Sequence, residues 1–213
     1  MRGIITAPSE TFSLIAADPR WRLASVVVTC GLTALAWIKT CFDKGSLSFD
    51  LILWCVLFLI LFTVLILVTL ILAAFVFLSI HAFVRSNEPS FKTMFSVVVH
   101  TGIVFLLGEV ANLVLVRLNI LDPSSFPVPN RFPMGLDVFA IGTHLPSAAA
   151  VILYSFNVFT LWYFSILGLG VSVVTGLGKT TCLAIASSAW LLGVVFIISL
   201  VVALGGTSLG IKF

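Results

Sequence analysis

Residues Leu51 to Ile80 read LILWCVLFLILFTVLILVTLILAAFVFLSI, a run without one charged side chain. About thirty residues of α-helix extend ~45 Å, against a hydrocarbon core of about 30 Å, so this segment spans a bilayer and must tilt or project beyond it. No soluble fold has a use for it. The composition of the whole chain agrees: 61% of the 213 residues are hydrophobic, only 9% are charged and the mean hydropathy is +1.26, where soluble domains carry about 25% charged residues. Nineteen Phe and five Trp supply bulk for lipid contact and for the interfacial belts in which amphipathic rings settle.

On the N-terminal side of this run, Leu23 to Ile38 is uncharged and forms a first, rather short span, with Trp21 and Trp37 marking its interfaces. Before it, Thr6 to Asp18 carries Pro8 and Glu10 where a first helical turn favours them and places Phe12, Ile15 and Ala16 on one face. This predicts a short helix lying on the membrane surface, ended at Asp18-Pro19 because the proline ring drives its predecessor out of the helical region.

On the C-terminal side, His81 to Lys92 is a polar loop and Thr93 to Val116 a third span, the one that carries His100, Glu109 and Asn112. Residues 117–156 form an outer connection, with Pro123, Pro127, Pro129 and Pro133 in its first half. Leu145 to Gly178 has no charge and is too long for one upright span but too short for two. A short half-helix near Pro146 to Ser155 followed by a fourth span over 157–176 resolves the conflict. Lys179 then sits in a tight turn, and 183–204 is the fifth span.

The expected fold is therefore all-α, a polytopic membrane helix bundle of five transmembrane helices (about 23–38, 51–80, 93–116, 157–176 and 183–204) with a short N-terminal interfacial helix, in one membrane domain over 1–213. Basic residues barely orient it. With the N-terminus inside, Arg2, Arg20, Arg22, Arg85, Lys92 and Lys179 are cytoplasmic, against Lys39, Lys44, Arg117, Arg131 and Lys212 outside. Arg20 and Arg22 favour a cytoplasmic N-terminus, since the first helix usually dominates topology.

Glu109 is the sharpest chemical signal, because a carboxyl group at membrane depth is expensive and faces the bundle interior or a water-filled cavity. Asn112 follows at i+3 on the same face. These two, with His100, are the candidate intramembrane polar site; the alternatives are an ion or proton site and a buried polar contact that fixes helix register. His100 is nine residues before Glu109, about 900° of helical rotation, and so on the opposite face. His81 and His144 sit near span ends.

Along the fourth span, Ser165, Gly168, Ser172 and Gly176 recur at i+3 and i+4 steps. Small residues so arranged let helix backbones approach closely, here in an antiparallel hairpin with Ala184, Ser188, Ala189 and Gly193 of the fifth span. A homodimer seam is the other reading of the same stripe.

Other chemistry is not supported. Gly176-Leu177-Gly178-Lys179-Thr180-Thr181 resembles the end of a phosphate-binding loop, but the position of its first glycine is Val173. Cys30, Cys41, Cys55 and Cys182 have no metal-ligand spacing. No metalloprotease, serine-hydrolase or paired-aspartate signature is present, so neither catalytic residue, metal nor cofactor is expected. A formal charge of +3 on scattered basic residues gives no stripe for nucleic acid.

Several stretches together resemble the Yip-one family, named for Ypt/Rab-interacting proteins. They are Pro8-Ser9-Glu10-Thr11-Phe12 with Asp18-Pro19-Arg20-Trp21, then Phe95-Ser96-Val97-Val98-Val99-His100, and above all Asn157-Val158-Phe159-Thr160-Leu161-Trp162-Tyr163 continuing through Leu167-Gly168-Leu169-Gly170-Val171-Ser172 to Thr175-Gly176. The resemblance implies five membrane helices and a cytosolic N-terminus. Eukaryotic members of that family work with Rab GTPases in traffic between endoplasmic reticulum and Golgi through a long cytosolic tail. Only about twenty residues precede the first span here and no Asp-Leu-Tyr-Gly-Pro element occurs, so GTPase binding is not carried over. The chain looks like the short prokaryotic branch. A non-enzymatic scaffold or adaptor of the bacterial inner membrane is the expectation, with membrane lipids, other membrane proteins or a second copy as partners. The alternatives are a small transporter or channel-like protein built on Glu109, and an endoplasmic reticulum or Golgi location.

Overall fold

The computed structural model describes residues 2–44, 51–82, 89–118, 121, 125–126, 132–143 and 147–203. Their regular structure is helical, and the one β-bridge among them joins Gly135 to Asn157. Expectations about Arg85, Pro123, Pro127, Pro129, Arg131, His144 and Lys212 lie outside the described residues.

Two short helices open the chain, α1 over Arg2–Thr6 and α2 over Pro8–Ala17, with Pro8 in the first turn of α2. As the sequence predicts, α2 ends at Asp18, whose backbone is extended ahead of Pro19. The helix does more than lie on a membrane surface. Ile4, Phe12 and Ile15 are buried, and α2 packs against α8 and α5 as part of the bundle. Ala16, expected on the same face, is exposed.

Helix α3 covers Trp21–Lys44 and α4 covers Leu51–His81. The third apolar segment forms two helices, α5 over Phe91–Thr101 and α6 over Ile103–Arg117, joined at Gly102. Ser90 caps α5 by accepting a hydrogen bond from the Thr93 amide at 3.2 Å. Gly102 admits α3: a Cβ there would come within 3.1 Å of Val28 Cγ1. One turn later the relation is reversed, with Leu106 of α6 seated over Gly31 of α3.

In the connection between α6 and the fourth span, Leu136–Ala140 forms a short 3-10 helix and Ser147–Ser155 forms α7, the expected half-helix. Helix α8 spans Val158–Thr175. Asn157 caps it, its Oδ1 accepting from the Thr160 amide at 3.0 Å. Gly176 ends it with a left-handed backbone (φ +73°), the usual glycine C-terminus of a helix. Lys179 is the first residue of α9, Lys179–Ala203.

Among the described residues, three helical segments are long and apolar enough to cross a bilayer: Phe58–His81, Phe91–Arg117 and Val158–Thr175. The apolar parts of α3 and α9 with described side chains, Trp21–Leu35 and Lys179–Val195, are shorter. The centre of the molecule is α5 and α8. Every residue from Thr93 to Thr101 is buried, and α8 packs on α2, α5, α6 and α9.

Candidate functional site

Glu109 and Gly108 of α6 face a partly open cavity of about 530 Å³ lined by α4, α6, the end of α7, the start of α8 and α9. Its body is apolar, formed by Leu72 and Phe75 of α4, Phe105 of α6, and Trp190 and Leu192 of α9. Its polar groups are Glu109, Tyr154, Ser155, Asn157 and Thr160. Four of them come from the junction of α7 and α8, which the Asn157 cap holds in place. Asn157 Nδ2 donates to the Tyr154 carbonyl oxygen at 3.0 Å while its Oδ1 accepts from the start of α8.

Asn112, three residues beyond Glu109, is completely buried and lies outside the cavity lining. Its Nδ2 donates to the carbonyl oxygen of Phe132 at 3.3 Å and lies 3.5 Å from the Tyr154 hydroxyl. One amide thus ties α6 to the middle and to the far end of the connection between α6 and α8. Asn112 Oδ1 has no hydrogen-bond partner among the described residues.

His100 does not join this group. It is buried on α5, where Nδ1 donates to the Ser96 carbonyl oxygen at 2.7 Å, one turn earlier on the same helix. A carbonyl can only accept, so the bond fixes the proton on Nδ1. The ring is a satisfied part of the core.

The small-residue stripe divides by task. At Gly168 a Cβ would stand 3.0 Å from Leu183 Cα and 3.2 Å from Leu183 N, so the backbone of α9 crosses there. Ser165 is exposed and bonds back to Leu161. Ser172 donates to the Leu177 carbonyl at 2.7 Å and, with Gly176, shapes the turn. On α9 the buried small residues are Cys182, Ala186 and Ala189, whereas Ala184 and Ser188 are exposed. The hairpin is rotated from the pairing that the i+4 pattern suggests.

Two features escaped the sequence reading. Gly170, outside the stripe, receives α2: a Cβ there would come within 2.8 Å of both the Phe12 ring and Val97 Cγ1. Asp137 is completely buried in the connection between α6 and α8, with Oδ1 accepting from the Gly135 amide at 2.8 Å and Oδ2 lacking a partner among the described residues. Burial pushes its carboxyl above the ordinary value of 3.8, against the opposing pull of the Gly135 amide and neighbouring backbone groups. The signal for Asp137 was its place at the start of a turn after Gly135. The Phe12–Gly170 contact left none, because sequence periodicity does not pair distant helices.

The Yip1 domain family model matches residues 2–200, from α1 into α9. The chain belongs to the Yip1-domain family. Comparison with curated proteins and with solved structures gave no match. In this Yip1-domain protein the family match and the apolar helices together identify a multi-pass membrane protein. Among the described residues no group of three or more His, Cys, Asp or Glu side chains is placed to hold a metal ion.

Proposed function

We propose that this Yip1-domain protein is a non-enzymatic scaffold or adaptor that crosses the bacterial inner membrane five times with its N-terminus in the cytoplasm. The observation that carries this reading is the docking of α2. Phe12 is seated against Gly170 of α8 and Val97 of α5, so the N-terminal segment, the start of α5 and the α8–α9 turn lie at one end of the bundle. Alternating crossings by α3, α4, α5–α6, α8 and α9 require that arrangement. At 24 and 25 residues, α3 and α9 are ~36 Å or longer as helices, although the uncharged part of α3 from Leu23 to Ile38 covers only ~24 Å of that.

The docked end presents Ser9, Glu10, Ser13, Asp18, Arg20, Arg22, Lys179 and Thr180 to water. Held by a buried phenylalanine, it is a fixed platform suited to contact with other membrane proteins. The exposed Arg20–Asp18 pair, 2.6 Å apart, adds little stability but keeps a defined charge pattern next to the first span.

Two measurements test this. Purification in mild detergent followed by mass measurement is expected to show a stable protein partner or self-association, lost on Phe12→Ala; a monomer without companions overturns the adaptor. In reconstituted vesicles the chain is expected to carry no proton or ion current before or after Glu109→Gln. Gradient-driven flux abolished by that substitution would replace the scaffold with a transporter.

A further inference from the structure

Helices α3 and α5 start side by side. Trp21, the first residue of α3, packs edge-on against Phe95 in the second turn of α5, with ring centroids 5.3 Å apart. Further along, a Cβ on Gly102 would meet Val28, and one on Gly31 would meet Leu106. The contacts of Trp21 with Phe95, Val28 with Gly102 and Gly31 with Leu106 advance in step, so α3 runs parallel to α5 and α6. Both N-termini therefore lie at one end of the bundle, and each brings the positive end of a helix dipole there.

That end lies at a membrane interface. The segment Phe91–Arg117, long and apolar enough to cross a bilayer, begins there. A ladder of rings marks the level, as aromatic belts do: Trp21 on Phe95, Phe95 on Phe91 at 6.2 Å, and Phe91 on Phe77 of α4 at 5.8 Å. Just inside it, α3 turns apolar side chains outward, with Leu23 75% and Val26 52% exposed.

Two cations flank the ladder. The Arg22 guanidinium lies 5.9 Å from the centre of the Trp21 ring, and Val26 stands one turn further along the same face of α3. Lys92 is exposed beside Phe91, one turn before Phe95 on α5. The ion pair among the described residues takes Asp18 for Arg20 and leaves Arg22 and Lys92 without a carboxylate. Two such cations and two helix N-termini above an apolar, outward-facing wall complement an anion that carries acyl chains. Arginine grips a phosphate through paired N–H groups and lysine adds a point charge, while the chains cover Leu23 and Val26. A free phosphate would leave that wall unused. We propose that the α3–α5 corner binds the phosphate head of an anionic phospholipid, held by Arg22 and Lys92, with its chains along α3. The inference goes beyond the adaptor reading: its readout is lipid counted on the chain, whereas the adaptor stands or falls on companion proteins.

The full chain, purified in mild detergent at low ionic strength, is titrated with phosphatidylglycerol and with phosphatidylcholine of identical acyl chains, and bound lipid is counted by native mass spectrometry. Each basic residue facing an anionic lipid contributes about fivefold, so the two together are expected to favour phosphatidylglycerol about 25-fold. Arg22→Gln and Lys92→Gln are each expected to cut that preference about fivefold, and the double substitution to bring the two lipids level. Both side chains are exposed, so neither change enters the core. Lys179→Gln removes the same charge from the start of α9, which packs on α8 and α4, and is expected to leave the preference unchanged. Inorganic phosphate at matched ionic strength is expected not to displace the lipid. Equal retention of the two lipids by the unaltered chain, a preference that survives the double substitution, an equal loss on Lys179→Gln, or displacement by inorganic phosphate would overturn the proposal.

Discussion

Helices α4 and α8 show opposite uses of apolar sequence. The α4 span is the more apolar of the two, yet only 12% of it is buried in protein, against 44% of α8 and 44% of the α5–α6 span. Leu59, Ile60, Leu67 and Leu78 of α4 are more than half exposed. In α8, Gly168 and Gly170 bring neighbours against two faces of the helix. In water, burial follows hydrophobicity because the solvent rejects apolar surface. In a bilayer lipid tails are as apolar as leucine, so that preference vanishes and close packing by small residues decides which helix is central. The greasiest segment reveals that the chain is a membrane protein, and the less greasy ones build its interior.

The sharpest way to break this contrast is to empty a site on the packed side. Phe12→Ala removes a fully buried ring from between α2, α5 and α8, and a loss of about 3 kcal/mol is expected from buried phenylalanine truncations. Denaturant titration in mild detergent measures it. A change below ~1 kcal/mol would mean that α2 is only loosely held. Next in size is Gly168→Leu. A Cβ at this position already stands 3.0 Å from the α9 backbone, which cannot rotate aside as a side chain can. Overpacking of this kind costs about 2 kcal/mol, and it should separate α8 from α9, read as loss of a cysteine crosslink engineered across the hairpin. An intact crosslink and unchanged stability would remove Gly168 as the crossing point.

The sequence made one of these two contacts visible. Gly168 stands in an i+3/i+4 stripe, and a stripe implies a neighbour, although it cannot fix the rotation of that neighbour; hence Ala184 and Ser188 face outward while Cys182 and Ala186 face in. Gly170 belongs to no stripe because α8 is packed on more than one side. The positions of α4, α8 and α7 were legible in charge-free length, a signal that the bilayer thickness calibrates. Glu109 and Asn112 were legible as polar groups at membrane depth, but the structure separates them, one in the cavity lining and one clasping the connection between α6 and α8. Tyr154, Ser155 and Asn157 were not legible as a polar cluster, since they face Glu109 only once the connection folds back and Gly135 pairs with Asn157. His100 shows a related limit: a polar residue in a span can be satisfied by its own helix, and its bond to Ser96 leaves no sequence trace.

Buried Asp137 extends the contrast to polar groups, because protein rather than lipid encloses it. A carboxyl whose value is raised in the folded state gives stability that is fully present below the unfolded value and is lost as pH rises through the folded one. The chain should therefore unfold more readily as pH rises from the ordinary value of 3.8 toward neutrality through this residue's contribution. Asp137→Asn, which keeps the acceptor for the Gly135 amide and removes the charge, should flatten that part of the profile. Parallel profiles for the two chains, measured by thermal unfolding in detergent across pH 4 to 8, would show that the carboxyl is solvated.

The smallest effect is expected from the most hydrophobic helix. Leu59 is 61% exposed on α4, so Leu59→Ala exchanges contacts with lipid or detergent for others of the same kind and should change stability by less than ~0.5 kcal/mol. The same truncation at Leu167, fully buried in α8, removes contacts that lipid cannot replace and should cost about 2 kcal/mol or more. Measured side by side in one detergent, the pair isolates packing from hydrophobicity, since the deleted atoms are identical. If Leu59→Ala cost as much as Leu167→Ala, a partner or a second copy would have to cover α4 in the purified state. Burial would then follow apolarity after all, and α4 would be an interface instead of the lipid-facing wall of the bundle.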